Sequence, residues 1–214
     1  EHLMLVGETG TGKSTLLQHF AQQHPRVEHA EFTEVPVLVV EVPPKCSNVR
    51  LAQAMLKALG SKFWNKGNEM ELSSQLQELL IECKVRLVIL DEINHLVDRG
   101  TAKSHHSVAD WIKALFNAVK IPCVLAGIPR AKLLLETNDQ LGDRFREIVE
   151  VTMLSVGKGR DGIARSALKA FSGLLTELDC IELSSPDVTR LLVFATGGRL
   201  RPLRKLLVRS VEHA

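Results

Sequence analysis

Short apolar runs alternate with longer amphipathic segments from residue 2 to residue 151. The apolar runs are largely aliphatic and β-branched, as is typical of strands buried on both faces. They cover residues 2–6, 36–42, 86–91, 122–127 and 147–151. Between them, apolar residues recur every three or four positions, which predicts helices at 13–24, 48–59, 69–84, 106–119 and 130–145. This alternation favours an α/β fold with a parallel five-stranded sheet flanked by helices.

After residue 154 the strand pattern stops. Residues 157–162 are typical of a flexible connector, and three helical segments follow at 162–178, 185–195 and 199–212. Ser185-Pro186 is typical of a helix start, and Gly197-Gly198 of a helix end. We therefore expect an α/β core over 1–154 and a small all-helical lid over 155–214.

Composition limits the cellular setting. The chain has 214 residues, and 45% of them are hydrophobic, which is enough for a packed core. The four cysteines are scattered without a C-x-x-C pair, as expected of free thiols in a reducing compartment. No apolar run approaches the ~20 residues of a membrane span, so we expect a soluble cytoplasmic protein that makes no membrane contact.

The segment between the first strand and the first helix fits the pattern G-x-x-x-x-G-K-[ST]. Glycines let backbone N–H groups converge on phosphates, and the following helix adds positive potential at its amino end. Lys13 would reach the β- and γ-phosphates, and the Ser14 hydroxyl would bind Mg²⁺. We therefore predict that the chain binds ATP and Mg²⁺. The predicted nucleotide contacts are Gly7, Glu8, Thr9, Gly10, Thr11, Gly12, Lys13, Ser14 and Thr15.

The predicted strand at 86–91 ends in the acidic pair Asp91-Glu92, 78 residues after Lys13. A strand can end at a solvated acidic turn for structural reasons alone. In combination with the glycine-rich segment, Asp91 is expected to hold Mg²⁺ through water, and Glu92 to polarise the water that attacks the γ-phosphate.

With these two motifs the chain resembles the AAA+ ATPases, and among them the TniB/TnsC family of transposition regulators, which is related to the MuB-type target selectors. The segments that carry the resemblance are Gly7–Thr15, Leu87–Leu96, Val124–Ala131, Gln140–Val151 and Thr196–Leu207. The resemblance implies a homo-oligomer, as a ring or a helical filament, on double-stranded DNA without sequence preference. It also implies a transposase and a target-selection protein as partners, with ATP hydrolysis controlling disassembly.

The resemblance also assigns arginines. Arg144, with Arg146 close behind, would reach the γ-phosphate held by a neighbouring subunit; the structural alternative is a helix-end arginine paired with Asp143 or Glu147. In the lid, Arg201 is the first candidate to reach the phosphates and Arg199 the second. The alternative is that these arginines only form the solvent-exposed face of an amphipathic helix.

One position departs from the AAA+ pattern. The fourth strand ends in Gly127-Ile128-Pro129, where such proteins usually carry a polar residue that positions the attacking water. Asn94 could compensate, and we expect a slow, switch-like ATPase.

Residues 42–68 contain five Lys or Arg and no acidic residue. Repeated in an oligomer, such a surface could follow the DNA backbone without reading sequence. The predicted DNA contacts are Lys45, Arg50, Lys62 and Lys66, with Arg99 and Lys103 as weaker candidates. The alternative is a solvated helix face with Phe63 and Trp64 packed underneath. His95, His105 and His106 are interpreted as loop histidines and not as metal ligands.

Two other functions remain open. One is a replication initiator or a helicase- or clamp-loading AAA+ ATPase of the Orc/Cdc6 kind. The other is a signalling NTPase switch whose partner is a protein and not DNA.

Overall fold

A computed structural model of the chain describes residues 2–97, 102–156, 161–174 and 181–213. A five-stranded sheet is built from β1 (Leu3–Gly7), β4 (Val37–Glu41), β5 (Leu87–Asp91), β6 (Cys123–Gly127) and β7 (Glu147–Val151). The strand order is β4-β5-β6-β1-β7, and the β4–β5, β5–β6 and β1–β6 pairs are parallel. The α/β prediction is confirmed, and each of these strands begins and ends within one residue of its predicted bounds.

Two compact units make up the chain. The first comprises residues 1–6 and 13–150, and the second comprises residues 7–12 and 151–214. The glycine-rich segment therefore groups with the C-terminal helices up to Gly12, and with the sheet from Lys13 onward. The helices of the first unit are α1 (Lys13–Gln22), α2 (Asn48–Leu59), α3 (Glu69–Glu82), α4 (Ala102–Val119), α5 (Leu133–Glu136) and α6 (Asp139–Gly142).

Local sequence explains where α2 and α3 begin and end. The Ser47 hydroxyl accepts a hydrogen bond from the backbone N–H of Arg50, and Gly60 ends α2 in the left-handed conformation at φ 91°. At the start of α3, Asn68 and Glu71 form a capping box in which each side chain bonds the other residue's backbone N–H. Both helices bury a leucine-rich face in the main core.

Three parts of the first unit differ from prediction. The predicted helix at 130–145 is wrong, since the chain forms a 3₁₀ turn (Pro129–Lys132) followed by α5 and α6. Asn138 leaves helical geometry at φ −137°, and its side chain accepts a bond from the Leu141 N–H, so it begins a new helix. Helix α4 also begins four residues before its predicted start. A hairpin of β2 (Val27–Glu28) and β3 (Thr33–Glu34) was not predicted, because two-residue strands leave no alternating pattern.

The second unit contains α7 (Asp161–Leu174), α8 (Pro186–Thr196) and α9 (Leu200–Glu212) around a small leucine core. Gly162 lies inside α7 and not in a connector, whereas 175–178 of the predicted helix lie outside the described residues. Gly197 ends α8 in the left-handed conformation, as expected. Gly198 is also left-handed and lies so close to the Leu154 carbonyl that an added Cβ would collide with it.

Among the helices of the described residues, none is long and apolar enough to cross a membrane.

Candidate functional site

The glycine-rich segment forms a tight turn after β1. The Thr11 hydroxyl donates a hydrogen bond to the Glu8 carbonyl oxygen at 2.9 Å, and the Thr11 N–H points to the same oxygen at 3.3 Å. Gly10 and Gly12 have φ values of 86° and 97°, which residues with a Cβ rarely adopt. The two glycines therefore give the turn a shape that other residues would strain.

This turn packs against the start of α9 within the second unit. The Arg201 N–H donates to the Gly10 carbonyl oxygen at 3.2 Å. A Cβ added to Gly12 would lie 3.1 Å from Leu200 Cδ1, and one added to Gly10 would lie 3.6 Å from the Cβ of Arg199 and of Arg201. Both predicted lid arginines are thus held beside the glycine-rich turn, with their side chains exposed. The sequence motifs gave no sign of the Leu200 contact.

Lys13, Ser14 and Thr15 form the first turn of α1. The Lys13 side chain is buried, at 7% exposure, whereas Ser14 is half-buried and Thr15 is exposed. The first-turn N–H groups of α1 add positive potential beside Lys13.

The acidic pair lies at the carboxyl end of β5, which pairs with β4 on one side and β6 on the other. Asp91 is buried, at 9% exposure, and its Oδ1 accepts a hydrogen bond from the Glu92 N–H at 2.9 Å, which fixes the orientation of the carboxylate. Glu92 is left-handed, with φ 56° and ψ 38°, and half-buried. A non-glycine residue in this conformation stores about 1–3 kcal/mol of strain, which is commonest at functional sites.

Asn94 lies next to the end of β6, where the sequence lacks a polar residue. It is 5% exposed, and its Oδ1 accepts a hydrogen bond from the Ile128 N–H at 3.4 Å. A Cβ added to Gly127 would lie 3.1 Å from Asn94 Oδ1 and 2.9 Å from Ile93 Cγ2. Gly127 therefore makes room for the Asn94 amide at this strand end.

Arg144 and Arg146 both follow α6 and are exposed, but they differ in their partners. Arg146 pairs with Asp143 at 3.2 Å, between side chains that are 79% and 72% exposed. Across the described parts of the chain, the Arg144 guanidinium has no hydrogen bond or ion pair, while the neighbouring Phe145 is buried and anchors the segment. The paired-arginine alternative therefore describes Arg146 and not Arg144.

The predicted basic residues are distributed around α2. Lys45 is left-handed at φ 53°, and Arg50 Nη1 donates to the carbonyl oxygens of Pro44 and Lys45 at 3.3 and 3.5 Å. Arg50 thus holds the turn that carries Lys45. The loop at 61–68 then runs back beside α2, since Asn48 Nδ2 at the start of α2 donates to Glu69 Oε1 at the start of α3 at 2.8 Å.

The two aromatic residues of this loop have different environments. Trp64 is half-buried against the main core, with Lys57 Nζ 5.3 Å from its ring centroid. Phe63 is 57% exposed, and Lys66 Nζ lies 5.3 Å from its ring centroid. The interpretation of both aromatics as packed underneath is therefore right for Trp64 and wrong for Phe63.

The remaining candidates are only partly visible. Arg99 and the side chains of Lys103, His105 and His106 lie outside the described residues. His95 Nδ1 donates to the Val42 carbonyl oxygen at 2.7 Å, which ties the turn after β5 to the end of β4. Among the described residues no cluster of His, Cys, Asp or Glu could by itself hold a metal ion.

The strand order, the glycine-rich turn after β1, the acidic pair after β5 and the helical second unit together define the AAA+ ATPase fold. The fold is similar to that of the ORC1 protein of Aeropyrum pernix, solved in complex with DNA, with a TM-score of 0.63 and 18% identity over 97% of this chain and 52% of that one. It is also similar to Cdc6p of Pyrobaculum aerophilum, with a TM-score of 0.66 and 15% identity over 100% of this chain and 55% of that one. The chain therefore spans about half the length of these proteins.

The family model described as "Bacterial TniB protein" matches residues 1–153, so this chain belongs to the TniB family. No curated protein matches its sequence.

Proposed function

We propose that this chain is an ATP-dependent regulator of DNA transposition, which assembles as an oligomer on target DNA and recruits or activates a transposase. Membership of the TniB family is the observation that carries the proposal. The likeness to the archaeal Orc and Cdc6 proteins lies at 15–18% identity and concerns the fold alone. We therefore favour a transposition role over replication initiation.

The residues present fit ATP with Mg²⁺. In the glycine-rich turn, side chains at Gly10 and Gly12 would be strained, and one at Gly12 would also crowd Leu200 of α9. With glycine at both positions, no side chain would stand between the backbone N–H groups and phosphate oxygens. Lys13 would neutralise phosphate charge, and the Ser14 hydroxyl and Asp91 would hold Mg²⁺, whose charge stabilises the transferring phosphoryl group.

Glu92 would act as the general base for ATP hydrolysis. Its left-handed backbone turns the chain sharply after β5, at the point where the carboxylate would have to meet the attacking water. Asn94 would orient the attacking water in place of the polar residue that β6 lacks. Among the described residues, the Asn94 side chain makes one hydrogen bond, a long one at 3.4 Å from the Ile128 N–H, and we expect such a weakly oriented amide to favour slow turnover.

Arginines would complete the site. Arg144 is exposed and has no partner among the described residues, so it could bind a phosphate held by a second subunit. Arg201 and Arg199 stand beside the turn that would hold the phosphates of their own subunit. The site would then be complete only in an assembled oligomer.

The test uses Glu92→Gln, with Glu41→Gln as its matched control. Glu41 is an exposed carboxylate at the end of β4, opposite Asp91 in the sheet register. With ATP and duplex DNA, we expect Glu92→Gln to form long-lived assemblies that electron microscopy shows as rings or filaments, and Glu41→Gln to disassemble like the wild type. Lys13→Ala should form none. Monomers of the wild type under the same conditions would refute the proposal.

A further inference from the structure

Phe63 is a large aromatic side chain at the surface, between two exposed lysines, Lys62 and Lys66. We propose that Phe63 contacts the bases of duplex DNA as an apolar wedge, while the two lysines bind the flanking phosphates. This inference rests on the proposed DNA-binding function and adds to it a contact with the bases, which the binding of phosphates alone would not provide.

The loop holds Phe63 in one place. Its N–H donates to Ser61 Oγ at 3.2 Å, and the same oxygen accepts a bond from Gln75 Nε2 of α3 at 3.2 Å. The Lys66 N–H donates to the Phe63 carbonyl oxygen at 3.0 Å, which closes a tight turn. Trp64, the next residue, is anchored against the core. The exposed ring is therefore presented by a constrained loop, which lowers the entropy lost on binding.

The charged groups around Phe63 indicate which kind of partner this surface fits. Lys66 Nζ lies 5.3 Å from the Phe63 ring centroid, so a cation and an apolar face are offered together. The nearest carboxylates of α3 are turned to other groups: Glu71 Oε2 accepts from the Asn68 N–H at 2.8 Å, and Glu69 Oε1 from Asn48 Nδ2. Duplex DNA offers a partner for the cation and for the apolar ring, because its phosphates flank its stacked bases. Minor-groove proteins insert phenylalanine side chains between base steps.

The test compares Phe63→Ala with Met70→Ala, which removes another exposed apolar side chain, 79% exposed, at the start of α3. Binding of the full chain to a fluorescein-labelled duplex is measured by anisotropy with a non-hydrolysable ATP analogue over a range of salt concentrations. Phe63→Ala should weaken binding by about 5- to 100-fold without changing the slope of log K against log salt. The double change Lys62→Gln with Lys66→Gln should instead flatten that slope by up to about two.

A second measurement detects base contact directly. A duplex that carries 2-aminopurine should fluoresce more strongly when the wild type or Phe63→Leu binds, because an apolar wedge unstacks the base and relieves its quenching, and should not respond to Phe63→Ala. If Phe63→Ala binds like Met70→Ala and keeps the fluorescence change, Phe63 does not act as a wedge, although the proposed binding to DNA still stands. If the wild type binds no duplex at all, the proposed function fails first.

Discussion

Replacing Gly127 by alanine tests whether the end of β6 is closed around Asn94. The added Cβ would lie 2.9 Å from Ile93 Cγ2, and 3.1 Å from both Ala131 Cβ and Asn94 Oδ1. All three neighbours are buried, and Ile93 and Ala131 have no exposed surface. Overpacking of this kind costs about 1–3 kcal/mol. Alanine offsets about 0.4–1 kcal/mol of this loss in the free energy of unfolding, because it has less conformational freedom than glycine in the unfolded chain.

The middle values of these two ranges leave a net loss of about 1.3 kcal/mol, which lowers Tm by about 3–5 °C for a chain of this size. Differential scanning calorimetry measures it against Gly173→Ala, where a Cβ would meet nothing within 4 Å in α7 and should raise stability by about 0.5–1 kcal/mol. We also expect ATP turnover of Gly127→Ala to fall about tenfold as Asn94 is displaced. An unchanged Tm would refute the packing, and an unchanged turnover would remove Asn94 from the mechanism.

Three further predictions test separate parts of the molecule. Arg144→Ala should lower ATP turnover of the DNA-bound oligomer by about 10³-fold, and Arg146→Ala should leave it nearly unchanged; equal effects would contradict the assignment. Burial raises the pKa of the Cys46 thiol to about 12, so iodoacetamide at pH 8 should label it about 10³-fold more slowly than an unburied thiol, as peptide mass mapping can measure. Gly198→Ala should loosen the second unit, because its Cβ meets the Leu154 carbonyl, and limited proteolysis should then cleave faster near residue 154.

The strands could be predicted because burial on both faces leaves continuous apolar runs, whereas the region after β6 could not. Leu134 and Leu135 follow Ala131 by three and four positions, Phe145 follows Leu141 by four, and all five side chains are buried. Three separate short elements satisfy that spacing as well as one long helix does. The interruption depends on Asn138, whose side chain caps a new helix, and such a bond leaves no mark in the hydrophobic period.

The candidate site could be predicted where its residues are contiguous. The glycine-rich segment and the acidic pair each occupy a few consecutive positions, so their chemistry is visible in the sequence. The contact between Gly10 and Arg201 joins residues far apart in the chain, and the family resemblance suggested only that Arg201 would reach the phosphates. Gly127 carried a usable signal, since the absence of a polar residue there pointed to Asn94, but the sequence does not indicate how closely the two residues pack.

The bond between the Arg201 N–H and the Gly10 carbonyl oxygen limits how strongly the glycine-rich turn can control α9. Arg199 occupies the cap position of α9 without a side-chain cap, so the Gly10 carbonyl satisfies one of the free N–H groups of the first turn. Such a bond contributes about 0.5–1.5 kcal/mol, or roughly 2- to 13-fold in the position of an equilibrium. Moving a two-state element from 1:99 to 99:1 takes about 5.5 kcal/mol. If α9 switches position during the proposed ATPase cycle, this bond alone would be too weak to drive the switch, and the larger part of the difference would come from Arg201 on the phosphates and Arg144 of a neighbouring subunit.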